Sequence, residues 1–368
     1  MKSFIISATR SMRSYASKVV ESSVKYPEFS GLKEEINGVD LLRTDRFADG
    51  EMEVVVNASI RGRDVVLFTS SSARNEAGIS VEEAKIELYH AVDALKRSQA
   101  GRIIIFEPFI SCSRSDRTNR RSSVGLWVHF QTLVNLGMNH IVTFQLHSDK
   151  SKSIVDPTRY IIEDIPALNL LKRYLCDAYI QDLSSLERIV RPNWAFCSVD
   201  AGGEKLARDF ANSFGASLVV AHKQRDYSHA NTIESINILS AEPLESRTLW
   251  IVDDMIDTAA SAESLIRALA PHKPAEINLI AVHAIFSEPA VERLNALSAE
   301  GLLKRVIVTD TICAPHFSRP EVPNMVLVPS AGLSAMVIRA IITEASMSKL
   351  LRPFNAEIYL KSPSLFKS

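Results

Sequence analysis

The sequence is short of the residues that mark several protein classes. It carries four cysteines in 368 residues, Cys112, Cys176, Cys197 and Cys313, and no two form a C-x-x-C pair. Such wide spacing excludes a disulfide frame and a zinc ribbon, and suits reduced thiols in a cytoplasmic protein. Neither sign of charge is in excess: 42 Lys and Arg stand against 43 Asp and Glu, a net of −1. That removes the bulk electrostatic footprint of a nucleic-acid binder. No apolar run approaches the ~18 to 20 residues that a membrane helix needs. Apolar residues are abundant, at 46%, which favours a large core over disorder. The length admits two domains of ordinary size. Lys2, Arg10, Arg13 and Lys18 precede the first acid, Glu21, as in a transit peptide. However, Phe4, Ile5 and Ile6 read as a strand, and Met12, Tyr15 and Val19 share one face of a following helix, so a folded start is preferred.

One stretch organises the rest. Leu249 to Val252 is an apolar run that reads as a buried strand, and Asp253, Asp254 and Asp257 follow at once. Thr258, Ala259, Ala260 and Ser261 come next, then Ala262, Leu265, Ile266 and Leu269 at helical spacing. The pattern is strand, acidic tight turn, helix N-terminus. Open α/β sheets bind ligands at the carboxyl ends of their strands, and a helix N-terminus is a ready anion site. Carboxylates beside it can hold sugar hydroxyls or an Mg²⁺ that carries a phosphate. The ligand class is therefore a phosphorylated sugar. An acidic turn taken alone also fits a solvated bend.

Strands are predicted over 52–56, 65–69, 102–106, 140–146, 194–198, 218–221, 278–283 and 306–309. Helices are predicted over 82–97, 124–136 and 334–342, with another carrying Leu206, Ala207, Phe210 and Phe214 on one side. This alternation predicts a parallel α/β protein. Residues 148–166 read as a loop and crossover that contain the domain boundary. Four arginines in eight residues, Arg114, Arg117, Arg120 and Arg121, suit a polyphosphate, because guanidinium forks grip phosphate oxygens. They also suit a solvated basic loop. His147 follows a strand, and Asp200-Ala201-Gly202-Gly203 lies between a strand and a helix, a second anion cradle. Phe47-Ala48-Asp49-Gly50-Glu51 has the composition of a hairpin turn.

Taken together, these strings resemble the ribose-phosphate pyrophosphokinase (PRPP synthetase) family, in five ordered motifs over about residues 3 to 350. The resemblance implies two doubly wound parallel-sheet domains of phosphoribosyltransferase type, related as a pseudo-repeat. Residues 1–160 would form an N-terminal domain on the ATP side, joined by a C-terminal helix at about 331–350. Residues 161–330 would form the ribose 5-phosphate side, and 351–368 a tail without an assigned role. The implied reaction transfers the diphosphoryl group of ATP to the C1 hydroxyl of ribose 5-phosphate, with Mg²⁺ as cofactor.

Residue by residue, the resemblance implies that Phe47, Asp49 and Glu51 hold the adenine, and that Arg114, Ser115 and His147 hold ATP. Lys223 and Arg225 would be catalytic, on a loop over the site that continues through Tyr227, Ser228, His229 and Asn231. Asp253, Asp254, Asp257, Thr258, Ala259, Ala260 and Ser261 would bind ribose 5-phosphate. His147, Asp200, Asp253 and Asp254 would hold metal. The adenine site shared with a neighbouring subunit implies at least a dimer, and the family favours hexamers. The chain departs from the family at Ser115, where Gln is usual, at Gln145, where Asp is usual, and at Ala259-Ala260, where at least one Gly is usual. Those departures keep open a second class: a non-catalytic regulatory homologue that assembles with an active synthetase.

Overall fold

The computed structural model describes residues 3–118, 121–154, 156–199, 202–225, 233–312, 322 and 324–362, without the side chains of 223–225 and 233–235. Met1–Pro166 and Pro329–Leu351 form one compact unit; Ala167–Asp310 and the segment from Arg352 belong to another.

The first unit is built on β1 (Phe4–Ala8), β2 (Asn37–Gly38), β5 (Asp64–Phe68), β6 (Ile103–Phe106), β7 (His140–Phe144) and β8 (Ile161–Ile165), with β3 (Leu42–Arg46) and β4 (Met52–Val56) as a separate hairpin. The sheet order is β2-β1-β5-β6-β7-β8, all parallel. Strands of such a sheet are buried on both faces, which is why they read as continuous apolar runs. On one face, Val65, Leu67, Ile103, Ile105 and Ile141 pack with Leu88, Ala91, Val92 and Leu95 of α2 (Val81–Arg97) and with Leu126, Phe130 and Leu133 of α3 (Gly125–Leu136). The other face carries an aromatic ladder: Phe68 is 4.6 Å from Phe106, and Phe106 is 5.4 Å from Phe144. Over it lies α1 (Arg13–Ser23), whose Tyr15 ring is 5.7 Å from Phe68.

The helix predicted at 334–342 spans Ala331–Thr343 and is here α8. It belongs to this unit, where the Tyr15 hydroxyl lies 2.7 Å from Ser330 Oγ and 2.8 Å from Ser334 Oγ. One predicted feature is corrected. Residues 148–166 are not only loop: Ile161, Ile162 and Ile165 lie in β8, which closes the sheet, so the boundary falls after Pro166 and not at 160.

The second unit contains β9 (Trp194–Ser198), β10 (Ser217–Arg225), β11 (Ile233–Ser240), β12 (Thr248–Ile256), β13 (Glu276–Ala284), β14 (Arg305–Thr309) and β15 (Met325–Val328), in the order β11-β10-β9-β12-β13-β14-β15. All neighbours are parallel except β10 with β11. Here α6 (Ala260–Leu269) and α7 (Ala290–Ala299) cover one face through Leu265, Ile266, Leu269, Leu294 and Leu297. The opposite face holds Trp194 and Trp250 at 5.0 Å, with Phe196 stacked on Phe214 of α5 (Glu204–Phe214) at 5.5 Å. The C-terminal segment completes this layer. Phe354 is 6.3 Å from Phe214, and Tyr359 of α9 (Ala356–Lys361) donates to Asp177 of α4 (Leu168–Tyr179) at 2.8 Å. Both units are therefore doubly wound, each with helices on both faces of a parallel sheet.

Two tests follow from this packing. Tyr15→Phe removes a buried hydroxyl shared by two serines and should cost about 1–3 kcal/mol of stability in urea unfolding; a loss below about 0.5 kcal/mol would show that the hydroxyls do not tie α8 to α1. The second concerns His140, at the start of β7. Burial, with Arg102 nearby, pushes its imidazole down to about 4. An unfolded chain would take up that proton near the ordinary value of about 6.5. The neutral ring's contribution is therefore intact above pH 6.5 and is lost as pH falls towards 4. Wild type should lose stability relative to His140→Leu across that window, and a difference independent of pH would show that the ring protonates inside the fold.

Candidate active site

In the second unit the chain leaves β9 towards β10 and leaves β12 towards β13, although β9 and β12 are neighbours. Their carboxyl ends therefore flank the topological switch point, where open α/β sheets leave a ligand crevice. The two anion cradles found in the sequence are the segments that follow these two strands. Asp200 and Ala201 lie outside the described residues. Gly203 follows as the N-cap of α5, with φ −82°.

The acidic stretch differs from the predicted strand and turn. β12 continues through both acids to Ile256, because β13 offers partners as far as Ala284. Asp253 and Asp254 are thus strand residues, and only Asp257, Thr258 and Ala259 make the turn. Asp254 is 6% exposed, and its N–H donates to Asp253 Oδ1 at 2.9 Å. Asp253 and Asp257 are half-buried. Ala259 has φ 59° and ψ 6°, left-handed values, and α6 begins at Ala260 with no side-chain cap. Uncapped first-turn amides are the donors an anion needs. The first helical bond runs from the Glu263 N–H to the Ala259 carbonyl at 2.9 Å. Behind the turn, Arg293 donates to the Thr258 carbonyl at 2.8 Å.

The absence of glycine in this turn now has a measurable meaning. A left-handed alanine costs on the order of 1 kcal/mol. Its methyl, however, is 6% exposed and packs in the core with Ala262 and Leu265, which recovers about 0.8 kcal/mol. Ala260, the second of the pair, is helical, where alanine is favoured.

Lys223 and Arg225 do not lie on a loop as predicted. They end β10, opposite Ile236 and Ile233 of β11. The antiparallel partner β11 extends the strand, and the continuation through Tyr227, Ser228, His229 and Asn231 is outside the described residues.

In the first unit, Phe47 to Glu51 form the tight turn of the β3–β4 hairpin. Gly50 takes φ 92°, its N–H donates to the Phe47 carbonyl, and the Phe47 N–H donates to the Glu51 carbonyl, both at 2.9 Å. The Glu51 N–H donates to Asp49 Oδ1 at 3.0 Å, and Phe47 stands 54% exposed. Arg46 sets the turn by donating to the Gly50 carbonyl at 2.7 Å while pairing with Glu83 of α2. That support was missed in the sequence, because Glu83 is distant along the chain.

Arg114 is exposed in the loop after β6. Ser115 is engaged within its own unit, where its Oγ accepts from the Gly125 N–H at 2.9 Å and its carbonyl from the Leu126 N–H at 3.1 Å, which caps α3. The loop's stem is held by a buried group that composition did not reveal. Glu107 accepts from Ser71 and lies 2.9 Å from His129 Nε2, while the Tyr89 hydroxyl lies 3.1 Å from Nδ1. Only the burial pattern of β6 and α3 exposes that pair. His147 is exposed beyond β7, where Gln145 adopts φ 48°. Asp164 of β8 accepts from the Leu146 N–H at 3.0 Å and pairs with Lys152 at 3.0 Å, supplying a carboxylate beside the strand end that carries Gln145.

With this geometry established, comparison places the chain in a class. Residues 5–137 match the N-terminal domain of ribose phosphate pyrophosphokinase, and residues 175–296 match the phosphoribosyl transferase domain. A ribose-phosphate pyrophosphokinase of Chromobacterium violaceum is 31% identical over 94% of this chain and 98% of its own. That of Synechococcus elongatus is 32% identical over 88% of this chain and 91% of its own. The crystal structure of phosphoribosylpyrophosphate synthetase from Mycobacterium smegmatis superimposes with a TM-score of 0.76 at 25% identity, over 94% of this chain and all of that one. The chain belongs to the ribose-phosphate pyrophosphokinase family.

Ala259→Gly should leave stability within about 1 kcal/mol, since relief of the left-handed strain and loss of a buried methyl nearly cancel. A drop beyond about 2 kcal/mol in thermal unfolding would mean that the methyl packing dominates.

Proposed function

We infer that this protein is a ribose-phosphate diphosphokinase, making PRPP and AMP from ATP and ribose 5-phosphate for nucleotide synthesis. The observation that carries the reading is the strand, acidic turn and uncapped helix at the switch point of a phosphoribosyltransferase-type unit, within a chain matched over 94% of its length by a ribose-phosphate pyrophosphokinase. The C1 hydroxyl oxygen forms a bond to the β-phosphorus of ATP. The bond from that phosphorus to the α,β-bridging oxygen breaks, AMP leaves with the bonding pair, and the hydroxyl proton is released. Such transfers rely on positioning and charge neutralisation more than on covalent participation by the protein.

In this reading the first-turn amides of α6, with Thr258 and Ser261, bind the 5-phosphate, and Asp253 and Asp254 bind the ribose hydroxyls. Arg114 and His147 bind the ATP phosphates. Phe47, exposed at the tip of a braced hairpin, stacks on adenine, with Asp49 and Glu51 beside it. Ser115, whose side chain caps α3, would join the ATP ligands as the resemblance implies. Lys223 and Arg225 neutralise charge that builds on the transferring group.

Among the described residues no three His, Cys, Asp or Glu converge as a metal cage. Mg²⁺ in phosphoryl transfer asks for less: one or two carboxylates with substrate phosphates. Asp253 and Asp254 fit that need in their hard oxygen chemistry; Asp200 and His147 would be metal ligands only as the family resemblance implies. When bound, Mg²⁺ would offset the negative charge of the polyphosphate. We place the reaction in the cytoplasm, in an assembly of at least two subunits and by family preference six. No helix among the described residues is long and apolar enough to cross a membrane.

The deciding assay is formation of AMP and PRPP from ATP, Mg²⁺ and ribose 5-phosphate, beside Lys223→Ala. Wild type should turn over, and Lys223→Ala should be slower by about a hundredfold or more. A folded wild type that makes neither product, with phosphate supplied, would shift the assignment to a regulatory homologue.

A further inference from the structure

The turn between β12 and α6 is held from behind by a side chain outside the binding motifs. Arg293, on α7, donates from Nη1 to the carbonyl oxygen of Thr258 at 2.8 Å. Its Nε lies 3.2 Å from Oε2 of Glu263 in the first turn of α6. The guanidinium thus brackets Ala259, the left-handed residue of the turn. Glu263 is fixed in turn: its Oε1 accepts from Arg267 Nε at 3.2 Å, and Arg267 forks onto Glu300 at 2.6 and 3.0 Å. Arg293 and Glu263 are 32% and 25% exposed, so solvent screens the pair only in part.

In a trans peptide the C=O and the following N–H point to opposite sides. Holding the Thr258 oxygen on Arg293 therefore turns the Ala259 N–H away from α7. The competing arrangement is a half-turn of that peptide plane. It would carry the φ of Ala259 to the negative side, where alanine is unstrained, and would reverse its N–H. A glycine has no such bias, but alanine does. The charge-assisted bond from Arg293 opposes the flip with a strength at least equal to the alanine's preference.

We propose that Arg293 is a positioning residue for ribose 5-phosphate, locking the Thr258–Ala259 peptide so that the Ala259 N–H faces the 5-phosphate. This rests on the turn being the ribose 5-phosphate site. The bond to Thr258 makes the amide direction depend on α7, and the alanine at 259 makes that dependence necessary.

The test compares wild type, Arg293→Met, Arg293→Lys and the double variant Ala259→Gly/Arg293→Met. Two readouts are taken: steady-state kinetics with each substrate varied, and the Kd of ribose 5-phosphate in the presence of α,β-methylene ATP, which cannot transfer. Arg293→Met should raise KM and Kd for ribose 5-phosphate about tenfold and leave KM for ATP within about twofold. Arg293→Lys should recover part of the loss through its single charge. The double variant should also recover part, because glycine accepts the positive φ. Unchanged ribose 5-phosphate constants in a folded Arg293→Met overturn the proposal, as do equal rises in both KM values or no recovery in the double variant. If Arg293→Met does not fold, Arg293→Lys carries the same comparison. Weaker binding in the variant without turnover in wild type keeps the positioning role and removes the synthetase reading; no binding of ribose 5-phosphate to wild type removes both.

Discussion

The parallel pairing of β9 with β12 is the constraint on which the second unit's site depends. Ala195 is opposite Leu249, Cys197 opposite Ile251 and Ser198 opposite Val252. The register is enforced from below, where Trp194, Phe196 and Trp250 share one buried aromatic layer with Phe210 and Phe214. A slip of one residue would turn Trp250 to the opposite face and remove it from that layer. Burying an aromatic side chain contributes about 1.5–3 kcal/mol, so the register is not easily traded. Because it holds, the segments after the two strands leave the sheet side by side and diverge, and the crevice between them is a result of topology.

Much of this was legible in the sequence. Buried parallel strands read as apolar runs, and Trp194–Ser198, Arg305–Thr309 and Met52–Val56 stand where periodicity put them, within a residue. Helices with a clear apolar face, such as the one bearing Leu206, Ala207, Phe210 and Phe214, were equally readable. What failed was decided by partners distant in sequence. Two consecutive aspartates look like a turn because Asp disfavours strands, yet β13 keeps β12 going through them. Lys223 and Arg225 look like loop cations, yet β11 pairs with them. Ile161–Ile165 was hidden in a polar, proline-containing stretch, and only β7 makes it a strand.

The supporting polar groups were less legible than the site itself. Motif residues are recognised by type and local spacing, whereas their supports act across the fold. Glu83 reaches Arg46, Asp164 reaches Leu146, and Arg293 reaches Thr258. The buried Glu107–His129 pair has no local signature at all, since each residue alone resembles an ordinary polar position on a strand end or a helix. Removing one partner of a buried hydrogen-bonded pair leaves the other unsatisfied and is costly, so the pair constrains which substitutions the arginine loop's stem can accept.

The path of the last part of the chain governs the order in which the protein can be assembled. α8 closes the aromatic face of the first unit, and Phe354 with α9 closes that of the second. Each unit is therefore finished by residues from the end of the chain. During synthesis α1 and α5 reach these two faces first, and the last contacts on each form only once residues 331–361 have been made. The final stretch of chain is thus divided between the two units, and the complete packing of each depends on it.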